Sequence, residues 1–190
     1  MATKFKETQP FTPGTVQGRD LFQTPNYATR LLVDYIPHTV DNILEPACGN
    51  GKIVRVLESA GYIVYGTDIV KIDGRVQSNF LTEEVDMYHE GIDCIITNPP
   101  FSAKRAFYER CRYYGLPFAL LIPADYCGWV IRAVQEGCEK IIPTRRVDYI
   151  TPTLREGTTS NFHSMWLTWG FMRGQTETFV ELTSEMKKDI

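Results

Sequence analysis

Two stretches, Asp93–Thr97 (DCIIT) and Pro117–Pro123 (PFALLIP), carry their apolar residues consecutively rather than at every second position. An alternating strand can face water on one side, whereas a continuously apolar strand has to be covered on both. Helical stretches separate these runs: Lys104–Tyr113 lies between them and Tyr126–Glu136 follows the second. The same alternation runs through the rest of the chain. Ile43–Glu45, Tyr62–Asp68, a short Val76–Phe80, Lys140–Pro143 and His163–Trp169 read as strands, and Ile53–Ala60 as a helix. Strands alternating with helices predict an α/β fold built on a mostly parallel sheet with helices on both faces. The last strand, within SMWLTWGFM, is reached through a polar loop rather than a helix, so it is expected to run antiparallel at or near the sheet edge.

The first 20 residues, with Pro10, Pro13, Gly14 and Gly18, read as an irregular arm. Residues 21–190 then read as a single domain, with no repeat or composition break and no separate region for recognising a target. Thr24 is placed to cap a helix whose first residue is Pro25. Tyr27/Ala28, Leu31/Leu32 and Tyr35/Ile36 recur every four residues along its buried face.

With 43% hydrophobic residues the chain can bury a substantial core. Five cysteines without a CxxC pair, and three dispersed histidines, predict neither a disulfide framework nor a metal centre. The N-terminus lacks the apolar stretch of a signal peptide, and no run spans a bilayer, so a cytoplasmic protein without a membrane partner is expected. The net charge is −3, yet residues 101–160 carry 9 Lys/Arg against 6 Asp/Glu. That basic excess could hold a polyanion or be an ordinary solvated surface.

The first strand ends in Glu45-Pro46-Ala47-Cys48-Gly49-Asn50-Gly51. Two glycines in a strand-to-helix turn let backbone approach a ligand, and ligands bind such sheets beyond the carboxyl ends of the strands. Glu45 would oppose a dinucleotide's pyrophosphate but suits the ammonium of an amino acid. The full GxGxxG is also missing, since Val54 stands at its last position. A methionine-bearing cofactor therefore fits better than NAD. Asp68, 23 residues after Glu45, can accept hydrogen bonds from two ribose hydroxyls, and Ile69 can pack on an adenine ring. Asn79 and Phe80 end the third strand, where an amide oxygen can accept from the adenine amino group. Phe22-Gln23-Thr24-Pro25 offers a hydroxyl and a helix N-terminus to a carboxylate.

Asn98-Pro99-Pro100-Phe101 directly follows the fourth strand. The prolines stiffen the backbone and remove two N–H donors, so nearby carbonyls are left as acceptors. The Asn98 side-chain oxygen and the Pro99 carbonyl can both accept from one NH2 group. An amine conjugated to a ring or carbonyl is a poor nucleophile. Holding both its hydrogens favours a pyramidal nitrogen with an available lone pair, and Phe101 offers a flat face to a planar substrate.

Taken in order, FQTP, EPACGNG, the aspartate ending the second strand, NFL and NPPF resemble the amino-group (N6-adenine type) DNA methyltransferases. The resemblance covers roughly residues 21–125. It implies a Rossmann-like, seven-stranded, mostly parallel sheet with an antiparallel C-terminal strand. It also implies S-adenosyl-L-methionine as the methyl donor and a flipped adenine of DNA held against Asn98, Pro99 and Phe101. By the same resemblance Phe22, Gln23, Thr24, Glu45, Ala47, Gly49, Gly51, Asp68, Ile69, Asn79 and Phe80 bind the cofactor. An aromatic residue shortly before the final hairpin strand covers the base's other face, with Phe162 nearest that position and Tyr149 second. The chain departs from the family in having Asn79 where an aspartate is usual, and in lacking a target-recognition region. C5-cytosine chemistry is excluded because the chain has no Pro-Cys step to supply its nucleophile.

NPPF also resembles the tetrapeptide of methyltransferases acting on protein glutamine and on RNA, and a non-catalytic cofactor-binding subunit is a further reading. Lys104, Arg105, Arg110, Arg112, Arg145, Arg146 and Arg155 favour a nucleic acid. Thr151–Phe162 is too long and polar for a simple hairpin connection and is expected to close over an extruded base. In that reading Lys104, Arg105, Arg155 and Phe162 meet the substrate, and sequence preference is loose.

Overall fold

The computed structural model describes residue 20 and residues 22–83, 87, 91–150, 161–172 and 174–189. Helix α1 (Asn26–Val33) leads into β1 (Asn42–Glu45), α2 (Lys52–Ser59), β2 (Ile63–Asp68), β3 (Val76–Gln77) and β4 (Cys94–Thr97). Then follow α3 (Lys104–Tyr114), β5 (Phe118–Pro123), α4 (Gly128–Gln135), β6 (Glu139–Pro143), β7 (Ser164–Trp169) and β8 (Glu177–Val180). They form one sheet in the order β3-β2-β1-β4-β5-β7-β6-β8.

The continuous apolar runs are buried on both faces, as their composition requires. All four residues of β4 and five of the six in β5 are buried. Alternate residues point to opposite sides. Ile43, Ile96, Leu121 and Trp166 pack under α1 and α2. Leu44, Ile95, Leu120 and Leu167 pack under α3 and α4 with Phe107 and Val130. The Trp166 indole donates to the Ala28 carbonyl at 2.9 Å, so its N–H is satisfied within the core.

Strand β7 is antiparallel to both its neighbours, β5 and β6. The sequence predicts an antiparallel strand at or near the sheet edge; β7 is antiparallel and lies two strands in from the edge, slotted between β5 and β6, with five of its six residues buried. An additional strand, β8, pairs parallel with β6 and forms that edge. Strand β3 is only two residues long, because Ser78–Phe80 turns away as the Asn79 side-chain oxygen accepts the Leu81 N–H at 3.1 Å. Thr24 does not cap α1. Pro25, in an extended conformation, occupies the capping position, which leaves the Thr24 hydroxyl one residue too early to reach the free N–H groups.

Sheet order reverses between β1, which leads outward to β2, and β4, its other neighbour. A ligand crevice is expected at that switch point, beyond the carboxyl ends of the strands. The exits of β1 and β4 there are Glu45 and Thr97.

Candidate active site

A cavity of about 230 Å3 sits over the switch point, lined from the exits of β1, β2, β3 and β4 and from residues 20 and 22–24. Its lining includes the apolar residues Ile69, Val70, Ile72, Phe80 and Phe107, and Asp68 and Asn79 contribute acceptors. Asn98 and Pro100 close the end nearest β4. Its volume falls just below the ~300–1,000 Å3 of most small-molecule sites. Residues 22–24 cross the cavity close to the glycine turn. Gly49 adopts a left-handed φ of 49°, and a Cβ there would stand 2.8 Å from Gln23 Oε1. The left-handed φ is what favours glycine here, since the end of the Gln23 side chain could shift to relieve the close approach.

Asp68 ties the cavity floor together. Its Oδ2 accepts the Gly49 N–H and its Oδ1 the Val70 N–H, each at 2.9 Å. Each oxygen keeps a second lone pair for a ligand hydroxyl. Gln23 Oε1 accepts the Asn50 N–H at 3.2 Å, and the Gln23 backbone pairs with Ile150 in both directions. Residues 22–24 are thereby fastened on two sides as they cross the cavity.

Asn98 is held in a particular orientation. Its Nδ2 donates to the Phe22 carbonyl at 3.3 Å. A carbonyl can only accept, so the amide nitrogen must face it and Oδ1 must point the other way. Among the described residues neither Asn98 Oδ1 nor the Pro99 carbonyl accepts a hydrogen bond. Beside them four aromatic rings gather. Phe101 meets Phe22 at 5.5 Å and Phe162 at 5.3 Å between centroids, both edge to face. Tyr149 stacks on Phe22 at 5.8 Å and lies 5.8 Å from Phe162. Phe162 and Tyr149, the two candidates for covering the base's other face, thus both lie beside Phe101. Buried Tyr149 donates to Ser164 Oγ, and burial pushes its phenol well above the usual range.

The remaining sequence-predicted residues divide. Phe22, Gln23, Thr24, Ala47, Gly49, Asp68, Ile69, Asn79 and Phe80 line the cavity. Gly51 occupies the capping position before α2 with φ 78° and is not among the cavity-lining residues. Glu45 is sealed beneath it with no exposed surface, its Oε1 accepting the Ala47 N–H at 3.2 Å. Its Oε2 and the Thr97 hydroxyl are both buried, close enough for the hydroxyl to lower the carboxyl's pKa, yet outside hydrogen-bond geometry. Loss of solvation dominates, pushing the Glu45 carboxyl from its ordinary 4.5 up to about 8, with the Asp68 charge adding to the rise.

That shift carries a stability prediction. The folded protein keeps the Glu45 proton across a range where the unfolded chain gives it up, so stability falls as pH rises from about 4.5 to about 8. Glu45→Gln cannot ionise. Its melting temperature relative to wild type should increase steadily between pH 5 and pH 8, read by thermal unfolding at intermediate steps. A difference that stays constant would mean that Glu45 is charged in the fold.

The basic excess after Pro100 is largely used internally. Lys104 pairs with Asp125 at 3.0 Å and Arg105 with Glu109 at 2.8 Å. Arg110 is 3% exposed and donates to the Phe80 and Glu83 carbonyls, stapling α3 to the cavity wall. Arg112 lies over the Trp169 ring, and Arg145 donates to Ser184. Residues 151–160, with Arg155, lie outside the described residues.

Asp20, Lys52, Ser78 and Phe107 line the cavity without having been singled out in the sequence. Phe107 follows the apolar pattern of its helix, but nothing local distinguishes an acid in a polar arm such as Asp20. Among the described residues no helix is long and apolar enough to cross a membrane, and no cluster of His, Cys, Asp or Glu could hold a metal.

Neither a protein-family model nor a curated protein matches the sequence. Solved structures do match in three dimensions. A provisionally assigned RNA methyltransferase from Pyrococcus horikoshii superposes with a TM-score of 0.56 at 14% identity, covering 82% of this chain and 91% of that one. A modification subunit of a provisionally assigned type I restriction enzyme from Vibrio vulnificus superposes with a TM-score of 0.54, also at 14% identity. That match covers 85% of this chain, which spans about half of the subunit (47%). At such identity the likeness establishes architecture, and the architecture of this protein is the Rossmann-like methyltransferase fold.

Proposed function

We propose that the protein transfers a methyl group from S-adenosyl-L-methionine to the exocyclic N6 amino group of adenine in DNA, with loose sequence preference. The observation that carries this reading is Asn98. Its amide is turned by the Phe22 carbonyl so that Oδ1 is available as an acceptor beside the Pro99 carbonyl, at the edge of an aromatic cluster.

The cavity suits a nucleoside with an amino-acid tail. Asp68 offers acceptors for ribose hydroxyls, Ile69 and its neighbours apolar side chains for the base, and Thr24 a hydroxyl near the α1 N-terminus for a carboxylate. Glu45 contributes by fixing the Ala47 N–H rather than by touching the ligand. Bound there, S-adenosyl-L-methionine supplies an electrophilic methyl group. Asn98 Oδ1 and the Pro99 carbonyl accept the two hydrogens of the target amine, freeing its lone pair. Phe101 and Phe162 present ring faces to the base once they separate. As the new N–C bond forms, the methyl–sulfur bond would break and leave a neutral thioether, and the surplus proton leaves the nitrogen for water afterwards, so a strong base is not needed.

RNA is the second reading, on the likeness to the provisionally assigned RNA methyltransferase from Pyrococcus horikoshii, which extends over nearly all of that chain. Incubating the protein with S-adenosyl-L-methionine carrying a labelled methyl group, in parallel with DNA, RNA and peptide, should label DNA. Nucleoside digestion should then yield N6-methyladenine. Label confined to RNA would move the assignment to the second reading, and label on none of the three would remove the methyltransferase function.

A further inference from the structure

We propose that Asp20 is a positioning residue that sets the orientation of Asn98 from the far side of the crossing segment. The inference rests on the reading of Asn98 as the acceptor for the target amine. Asp20 grips the loop that follows NPPF with both carboxylate oxygens: Oδ1 accepts the Ser102 N–H at 3.2 Å and Oδ2 the Ser102 hydroxyl at 2.9 Å. Two residues later the Phe22 carbonyl receives Asn98 Nδ2 at 3.3 Å, and the Phe22 ring meets Phe101 edge to face. The crossing segment is therefore anchored to the NPPF loop on both sides of Phe101. The neighbouring Gln23 is anchored to the glycine turn through Asn50.

The anchors have different consequences. The Phe22–Asn98 bond is a neutral one at the long end of the usual range, so by itself it holds the amide weakly. The Asp20 bonds carry a charge and are roughly twice as strong. They fix the distance between the Phe22 carbonyl and the loop that bears Asn98. The Phe22–Gln23 peptide is itself held by the Ile150 carbonyl. Without the Asp20 bonds it is therefore the NPPF loop that can draw away from the Phe22 carbonyl, letting the amide rotate and its NH2 take the place of Oδ1. Because Asp20, Phe22 and Gln23 also line the cavity, a ligand there presses on the same segment that orients Asn98.

The test uses the full chain and one readout that does not depend on turnover. In 15N-labelled protein the Asn98 side-chain NH2 signal is identified by its loss in Asn98→Asp. In Asp20→Ala its hydrogen exchange should quicken roughly three- to tenfold, the effect of losing one hydrogen bond. The rate of methyl transfer at saturating substrates should drop between about tenfold and 10²-fold, as for a displaced reacting group, with the substrate's KM little changed. Asp20→Asn, which keeps an acceptor for the Ser102 N–H, should fall between wild type and alanine. Ser102→Ala, which loses only the hydroxyl contact, should shift both readouts the same way by less, and it serves if Asp20→Ala does not fold. Unchanged amide exchange and rate in these variants would overturn the proposal. So would a lower melting temperature and a raised KM without a change at the Asn98 amide. Faster amide exchange in a protein that methylates nothing would uphold the Asp20 role and overturn the proposed reaction instead.

Discussion

Asn98→Ala should reduce methyl transfer by about 10²–10³-fold, the loss expected when one preorganised polar contact to the reacting group is removed. Affinity for S-adenosyl-L-methionine should hold within about twofold, because the proposed cofactor contacts are with Asp68 and the glycine turn, which are bonded to each other and not to Asn98. The measurement pairs single-turnover kinetics with calorimetric titration of the cofactor. Asn98→Asp gives a sharper comparison. Its carboxylate has no NH2 to offer the Phe22 carbonyl, so two acceptors would oppose each other where the amide now bridges. It should lose rate as well, although it retains an acceptor for the substrate. Turnover near wild type in the alanine variant would remove Asn98 from the chemistry and with it the reason for reading NPPF as catalytic.

Asp68→Ala should show the complementary pattern, a large loss of cofactor affinity with turnover recovered at saturating cofactor. A hydrogen bond to a charged group contributes about 1.5–3 kcal/mol, so one lost ribose contact raises the Kd roughly 10- to 150-fold. The loss belongs at the upper end. Asp68 also positions the Gly49 and Val70 N–H groups, and without it the turn that shapes the cavity is released from the end of β2. Asp68→Asn keeps one carbonyl acceptor and should fall between. Were Asp68→Ala to bind cofactor normally and fail only in turnover, the carboxylate would belong to the reacting end of the cavity, and the ribose assignment would be withdrawn.

The strand–helix alternation, the two-sided burial of β4 and β5, the glycine turn, and the asparagine and prolines after β4 were all determined by the sequence itself. Each is a short-range property. Continuous apolarity records burial on both faces, and proline and glycine restrict their own backbone, so no knowledge of distant partners is needed. The partners of polar side chains were decided only by the tertiary structure. Asn98 takes its orientation from a carbonyl 76 residues earlier, and Asp20 finds Ser102 across 82 residues. Glu45, which by its position could have met an ammonium, is instead sealed under the turn. Lys104 and Arg110, which by composition could have met a polyanion, are spent on Asp125 and on the Phe80 and Glu83 carbonyls. The place of β7 was settled the same way, since its buried residues needed a neighbour on each side and β8 supplied the edge. A charge or a hydrogen-bonding group is written in the sequence without its partner, and the partner is whichever group the packed elements bring within about 3 Å.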